Sequence, residues 1–485
     1  MALKQDGIYD ASTLGGGKMF VLGFQHMFAM FGATVLVPLL TGLSVSATLL
    51  FAGIGTLIFH LFTKMKVPAF LGSSFAFLGG YSAVTAMGPK FLDPNFNQIA
   101  FEAMTESEQA EYIAGFAPAS LTYACIGVFC AGLLYFVLAA LFKFYGVRRT
   151  MRFFPPVVTG PIIISIGLIL SSSAINNCQT NWWIALLAIL IIVICNIFGK
   201  GMIKIIPIIL GVIGSYIVAA CFGKVDFSAV KEAAWFGLPI EWSRTGLSTV
   251  VSHPDGAFLT TAIITIMPIA IATMIEHIGD VCAISSTCNR NYIADPGLHR
   301  TLMGDGCATA LAALFGAPAN TTYGENTGVL NLTRVFDPKV VRIAACLAIL
   351  FSFCPKFAQI IYAMPTATVG GVSLVLYGMI SAVGVRNLVE NKVDFTNNRN
   401  VLIAALILVL AIGINFGPGS VSFGKVALSG LAVAALVGII LNAVLPGNDF
   451  HFTSEYASGK RATAEGQDLP EEFKKPLHDD PKYNG

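Results

Sequence analysis

Long apolar stretches recur from residue 19 to residue 445, with most of the charges lying between them. An α-helix needs about 20 apolar residues to cross a bilayer, fewer if it is broken. Such stretches fall at residues 19–40, 47–62, 68–87, 118–142, 155–175, 182–198, 203–222, 258–282, 301–315, 340–354, 357–383, 400–416 and 424–445, with a more polar segment, 316–334, among them. The expected fold is therefore an all-α polytopic membrane protein of about fourteen segments. Composition agrees: 12% of the 485 residues are charged and mean hydropathy is +0.74, whereas a soluble domain carries roughly 25% charged residues. The net charge of +2 carries no message about nucleic acid, and none is expected as a partner.

The charges between stretches set an orientation. With residues 1–18 in the cytoplasm, the inward loops hold Lys64 and Lys66, then Lys143, Arg148, Arg149 and Arg152, then Lys200 and Lys204. Further on they hold Arg290 and Arg300, Arg334, Lys339 and Arg342, and Arg386, Lys392 and Arg399. The insertion after the third stretch carries Asp93, Glu102, Glu106, Glu108 and Glu111 against Lys90. This is the positive-inside pattern of a multi-pass plasma-membrane protein with both termini cytoplasmic, and Lys356 is its exception. No cleavable leader is expected in residues 1–18, and the polar tail 447–485 reads as disordered. The ten cysteines lie mostly in apolar runs without a CxxC, as buried hydrophobes rather than a disulfide or metal framework.

An odd number of spans per half makes the second half start from the opposite side, the arithmetic of an inverted repeat. The first seven spans occupy residues 19–223 and the second seven residues 258–446, joined by an extracytoplasmic connection, 224–257. The third segment of each half departs from a regular span in the same way. Residues 67–80 read VPAFLGSSFAFLGG, and residues 316–334 read GAPANTTYGENTGVLNLTR. Interrupted segments at corresponding positions mark a transporter's binding site, because irregular backbone at membrane depth persists only where protein buries it or it lines a cavity.

Ionisable residues inside spans are functional candidates by default. Glu325 sits in the second interrupted segment, and MIEHIGD places Glu276, His277 and Asp280 in about one helical turn. Glu276 and Asp280, four apart, share a helix face. Apart from Arg334 at the far end of the second interrupted segment, no Lys or Arg lies in either segment, so these carboxylates can bind and release protons. His277 points about 100° away from Glu276 and reads as a packing residue. Asp280 reads equally as a solvated residue near the cytoplasm or as part of a proton relay. Ser73, Ser74, Phe75 and Phe77 combine aromatic faces with small hydroxyls, which suits a flat polar ring but also ordinary packing. Ala33, in the first span near Gln25 and His26, permits close approach of a helix or a ligand.

At these residues the chain resembles the nucleobase/ascorbate transporter family, in its bacterial uracil permease branch. The motifs, in chain order, are FQHMFAMFGATVLVP, FLGSSFAFL, MIEHIGD, DPGLHR and NTTYGENTGVLNLTR. The resemblance implies two inverted sets of seven spans, with a core domain (spans 1–4 and 8–11) against a gate domain (spans 5–7 and 12–14). It also implies short antiparallel strands in spans 3 and 10, and proton-coupled uracil import by alternating access. Carried over by position, Glu276 and Glu325 are the substrate-binding glutamates, Tyr323 and Gly324 the strand residues beside them, Phe75 the stacking aromatic and Ala33 the small residue of span 1. Glu276, Asp280 and Glu325 are the proton-coupling set. Asp280 stands where well-known uracil members have His, which leaves the coupling ion open between H+ and, less favoured, Na+. Glu325, where purine and ascorbate branches usually have Gln, favours uracil over xanthine. No cofactor is implied; membrane lipid and a homodimer through the gate domains are.

Two other classes fare worse. An anion transporter or channel on the same plan favours a cation near the site, and none is visible. An enzyme is not expected: HExxH is absent, and Gly304-Asp305-Gly306 is not a protease GxGD, Asp305 reading as a helix-start residue with support of the site as its other role.

Overall fold

The computed structural model describes residues 7–252, 254–417, 419–423 and 426–447, and of Glu325 it describes the backbone and not the side chain. Apart from Gly447, the tail lies outside the described residues. The main elements of the first half are α1 (Gly16–Thr41), α2 (Val45–Phe62), β1 (Leu71–Ser73), α3 (Leu78–Leu92), α4 (Glu106–Tyr145), α5 (Pro156–Gln179), α6 (Trp182–Phe198) and α7 (Pro207–Cys221). The second half runs α8 (Gly256–Ile266), α9 (Ala270–Thr287), α10 (Leu298–Leu314), β2 (Asn320–Thr322), α11 (Gly324–Thr333), α12 (Pro338–Ser352), α13 (Pro355–Tyr362), α14 (Thr366–Glu390), α15 (Asn398–Phe416), β3 (Ser420–Phe423), β4 (Val426–Ser429) and α16 (Gly430–Val444). The protein is thus mostly helical and polytopic, and its two interrupted segments are each a three-residue strand followed by a helix.

The helix ends follow local chemistry. Gly42 closes α1 in the left-handed conformation, its N–H bonded to Pro38, and Ser44 caps α2. A capping box of Thr105 and Glu108 starts α4 inside the acidic insertion. That helix therefore begins well before the apolar run that predicts it at residue 118. Three other boundaries also move. The stretch predicted at 357–383 is divided: α13 meets α12 at 87°, and α14 begins at Thr366 after Pro365. The prolines explain the break, since Pro355 opens α13 at its first turn and cannot continue α12. The stretch predicted from 424 begins as the β3–β4 hairpin, and its helix starts at Gly430.

Lys356 has a local explanation. Its ammonium lies 5.1 Å from the centre of the Trp235 ring and donates to the Lys231 carbonyl, so the short α13 docks on the 224–257 connection. Of the cysteines, Cys125, Cys178, Cys282 and Cys288 are buried, whereas Cys221 and Cys346 are exposed on apolar helices.

The helices pack in two groups. In one, α1 and α10 lie against α12 and α4 respectively, with α2 between α10 and α12 and with α3 and α8 on α4. In the other, α14 runs along α5 and α6, and α15 packs on α5 and α16. Small residues allow the closest crossings: a Cβ on Gly132 of α4 would sit 2.8 Å from the Ala310 nitrogen and 2.9 Å from the Gly306 oxygen of α10.

The N-terminal segment straps the end of the first group that carries Arg290, Arg334 and Lys339. Ile8 exchanges backbone hydrogen bonds with Arg334 and Phe336, and the Tyr9 hydroxyl donates to the Cys288 carbonyl. Asp337 caps α12 and also accepts from the Ala11 amide at 2.8 Å. Asp337→Ala is expected to cost about 1 kcal/mol through the lost cap and to speed amide hydrogen exchange across residues 8–14. Unchanged exchange there would mean that Asp337 does not anchor the strap.

Candidate functional site

The two strands pair antiparallel, Leu71 with Thr322, Gly72 with Thr321 and Ser73 with Asn320, and all six residues are buried. A two-stranded ribbon in a membrane leaves edge groups that water cannot satisfy, and neighbouring helices supply the partners. Thr56 of α2 accepts from the Leu71 amide at 2.9 Å, and Thr309 of α10 donates to the Asn320 carbonyl at 2.8 Å. The Asn320 amide donates to Phe51 at 2.9 Å, and Tyr81 accepts from Ala319. β2 leads into α11 after one residue, and β1 into α3 through a 3-10 turn at Phe75–Phe77, so helical N-termini follow both strands. Those ends carry partial positive charge and free N–H groups, suited to carboxylate or carbonyl oxygen.

Gly72 is required by its neighbours. A Cβ there would lie 2.5 Å from two ring atoms of Tyr323 and 2.7 Å from the Thr34 hydroxyl. The Tyr323 ring is fixed across the ribbon by its hydroxyl, which donates to Ser73 O at 2.8 Å. The Ser73 hydroxyl in turn donates to Thr34 O at 2.6 Å, which holds α1, and with it the buried Ala33, beside β1. Phe75 follows β1 and is half-buried; its ring meets Tyr377 of α14 edge-on, with centroids 6.1 Å apart.

On the other side of the ribbon stands α9. Glu276 and Asp280 are both half-buried, one turn apart. Thr322 of β2 donates to Asp280 Oδ2 at 2.8 Å, and the other oxygen, Oδ1, lies 3.8 Å from where a Cβ on Gly324 would be. Asp280 thus faces the start of α11. Glu325 is the second residue of α11, so its backbone adjoins the ribbon; its side chain lies outside the description.

The structure therefore gathers Ala33, Phe75, Tyr323, Gly324 and Asp280 around one ribbon, with Glu276 one turn along α9. It also corrects two readings. Asp305 is not a helix-start residue: it lies in the middle of α10, fully buried. His277, read as packing, has its Nδ1 3.1 Å from Asp305 Oδ2 and 3.4 Å from the Thr322 hydroxyl, with Phe59 edge-on to its ring. Thr322 was legible as part of a polar motif; Tyr377, in an ordinary apolar helix, gave no signal.

Residues 17–420 match the profile of the Permease family, Xan_ur_permease. The chain belongs to that family. Among its relatives, the uracil permease of Bacillus subtilis is 39% identical over 91% of this chain and 95% of its own length, and that of Bacillus caldolyticus is 40% identical over 91% and 94%. The putative pyrimidine permease RutG of Escherichia coli is 35% identical over 88% and 89%. Among solved structures, the transmembrane domain of the cyanobacterial bicarbonate transporter BicA superposes with a TM-score of 0.58 at 16% identity, over 90% of this chain and 99% of that one. Murine Slc26a9, an anion transporter in its inward-facing state, gives 0.60 at 11% identity over 92% and 69%. At such identities the likeness is one of fold. The family assignment bears out the resemblance to nucleobase/ascorbate transporters, and its members are permeases rather than enzymes.

Proposed function

We propose that this permease imports uracil in symport with protons. The observation that carries the reading is the ribbon between Phe75 and the carboxylates of α9, in a chain whose relatives named uracil permease match it over nine-tenths of its length. Uracil is flat, with two ring N–H donors and two carbonyl acceptors. Phe75 supplies a face to stack on, Glu276 and Glu325 accept from the ring nitrogens, and amides at the start of α11 donate to a carbonyl. Charge-assisted hydrogen bonds of this kind are strong and geometrically selective.

The two packing groups correspond to a core that carries the site and a gate that carries Tyr377, and alternating access follows from movement of one against the other. Protonation of Glu276, Asp280 or Glu325 changes the donors and acceptors offered to the ring, so proton and substrate occupancy are linked reciprocally. The inward face is the basic end to which the N-terminal strap is bound, and the gate helices form a homodimer interface within the lipid.

The test is uptake of labelled uracil by proteoliposomes under an imposed inward proton gradient, and again with that gradient collapsed by an ionophore. Accumulation that requires the gradient is expected. Accumulation driven by sodium instead would overturn the proton mechanism while keeping the site, and transport of xanthine without uracil would overturn the substrate.

A further inference from the structure

Four polar side chains from three elements form one line: Asp280, Thr322, His277 and Asp305. Its inner end is closed. Asp305 and His277 are fully buried, and Asp305's carboxylate meets no hydrogen-bond donor other than the imidazole that faces it among the described residues; His277 Nε2 has no partner there either. Among the described residues, other titratable groups near this pair are Glu276 and Asp280 on the helix of His277, Tyr135 of α4, whose hydroxyl is bound to Thr273, and His60 of α2, which follows the Phe59 that meets His277 and is itself bound to the Ala69 carbonyl. The side chain of Glu325 is outside the description.

We propose that His277 and Asp305 form a positioning pair that commits the hydroxyl hydrogen of Thr322 to Asp280. An imidazole Nδ1 offers either one hydrogen or one lone pair. Asp305 takes it in either case, as a carboxylate accepting from Nδ1–H or as a carboxylic acid donating to bare Nδ1. The Thr322 hydroxyl donates to Asp280 Oδ2 at 2.8 Å and lies 3.4 Å from His277 Nδ1, which competes for its hydrogen only when that nitrogen is bare. With Nδ1 occupied, its single hydrogen has one destination. The ribbon is thereby tied to α9 at the residue that faces the start of α11, and Asp280 is held with one oxygen fixed and the other toward Gly324. The pair touches no substrate; it acts through Thr322.

This inference rests on the uracil reading above, and the experiment separates the two. Uracil dissociation constants are measured on purified, folded protein, with thermal unfolding checked for each variant. Asp305→Leu frees Nδ1, whose bare tautomer can then accept the Thr322 hydrogen, and is expected to weaken binding roughly tenfold or more, the worth of a hydrogen bond to a charged group. Removing the imidazole as well, in His277→Phe/Asp305→Leu, takes away the competing acceptor and is expected to restore most of the affinity. Replacing a buried polar pair by apolar side chains is also tolerated better than removing one partner. In a Thr322→Val background, Asp305→Leu should cost nothing further. Equal, additive losses in the presence and absence of the Thr322 hydroxyl, or a double variant no better than Asp305→Leu, would overturn the positioning role. Wild-type protein that binds xanthine and not uracil would instead overturn the substrate reading, and the same cycle read with xanthine would still decide the pair.

Discussion

Gly72→Ala is expected to abolish transport while leaving most of the helical structure in place. The new methyl would lie 2.5 Å from the Tyr323 ring and 2.7 Å from the Thr34 hydroxyl. Neither can withdraw cheaply. Tyr323 is buried and its hydroxyl donates to the carbonyl of Ser73, the residue after Gly72 in β1, and Thr34 belongs to a buried stretch of α1. Overpacking of this kind costs about 1–3 kcal/mol, and relief by sliding β1 would undo the register with Asn320 and Thr322. Gly79→Ala is the control, since a Cβ there meets nothing within 4 Å. Uptake and thermal unfolding of the two variants side by side check the expectation. Normal transport by Gly72→Ala would show that the ribbon need not keep its spacing.

Glu276→Gln should leave folding nearly intact and remove most uracil binding. The residue is half-buried on α9, so the amide keeps the volume and one acceptor oxygen. On the reading proposed above, it loses the charge and sets an N–H₂ where a ring N–H would donate. A hydrogen bond to a charged group is worth about 1.5–3 kcal/mol, so affinity should fall by roughly ten- to a hundredfold. Equilibrium binding on purified protein is the direct measurement. Retained affinity would remove Glu276 from the site and leave the carboxylate role to Glu325.

Much of this architecture was written in the sequence, for identifiable reasons. Apolar length marks membrane helices because lipid leaves the backbone no other partner. The ribbon was legible because the two segments that spoil this pattern, residues 67–80 and 316–334, do so at matching places in the two halves. Helix ends were less legible. The start of α4 is set by a capping box in a polar stretch, the bend between α12 and α13 by Pro355 and the division of residues 357–383 by Pro365, whose effects on direction a hydropathy pattern does not contain. His277 and Asp305 were misread for a related reason. Helical periodicity correctly turns His277 away from Glu276, but which side chain waits on that other face depends on how α9 and α10 cross. Tyr377 reaches Phe75 in the same way, through a packing between helix groups that neither segment encodes alone.

The ribbon also fixes when the site can come into being. Tyr323 and the Ser73 carbonyl it holds are separated by 250 residues of chain, and among the described residues β1 pairs with β2 and no other strand. During synthesis, β1 enters the bilayer with its partner still unmade, held until the second half arrives by the first-half helices that touch it, through Thr56 of α2 and Thr34 of α1. Only helices can settle early in such a chain. The ribbon is therefore completed only when Asn320–Thr322 docks, and a polypeptide truncated before that point holds one strand without its partner.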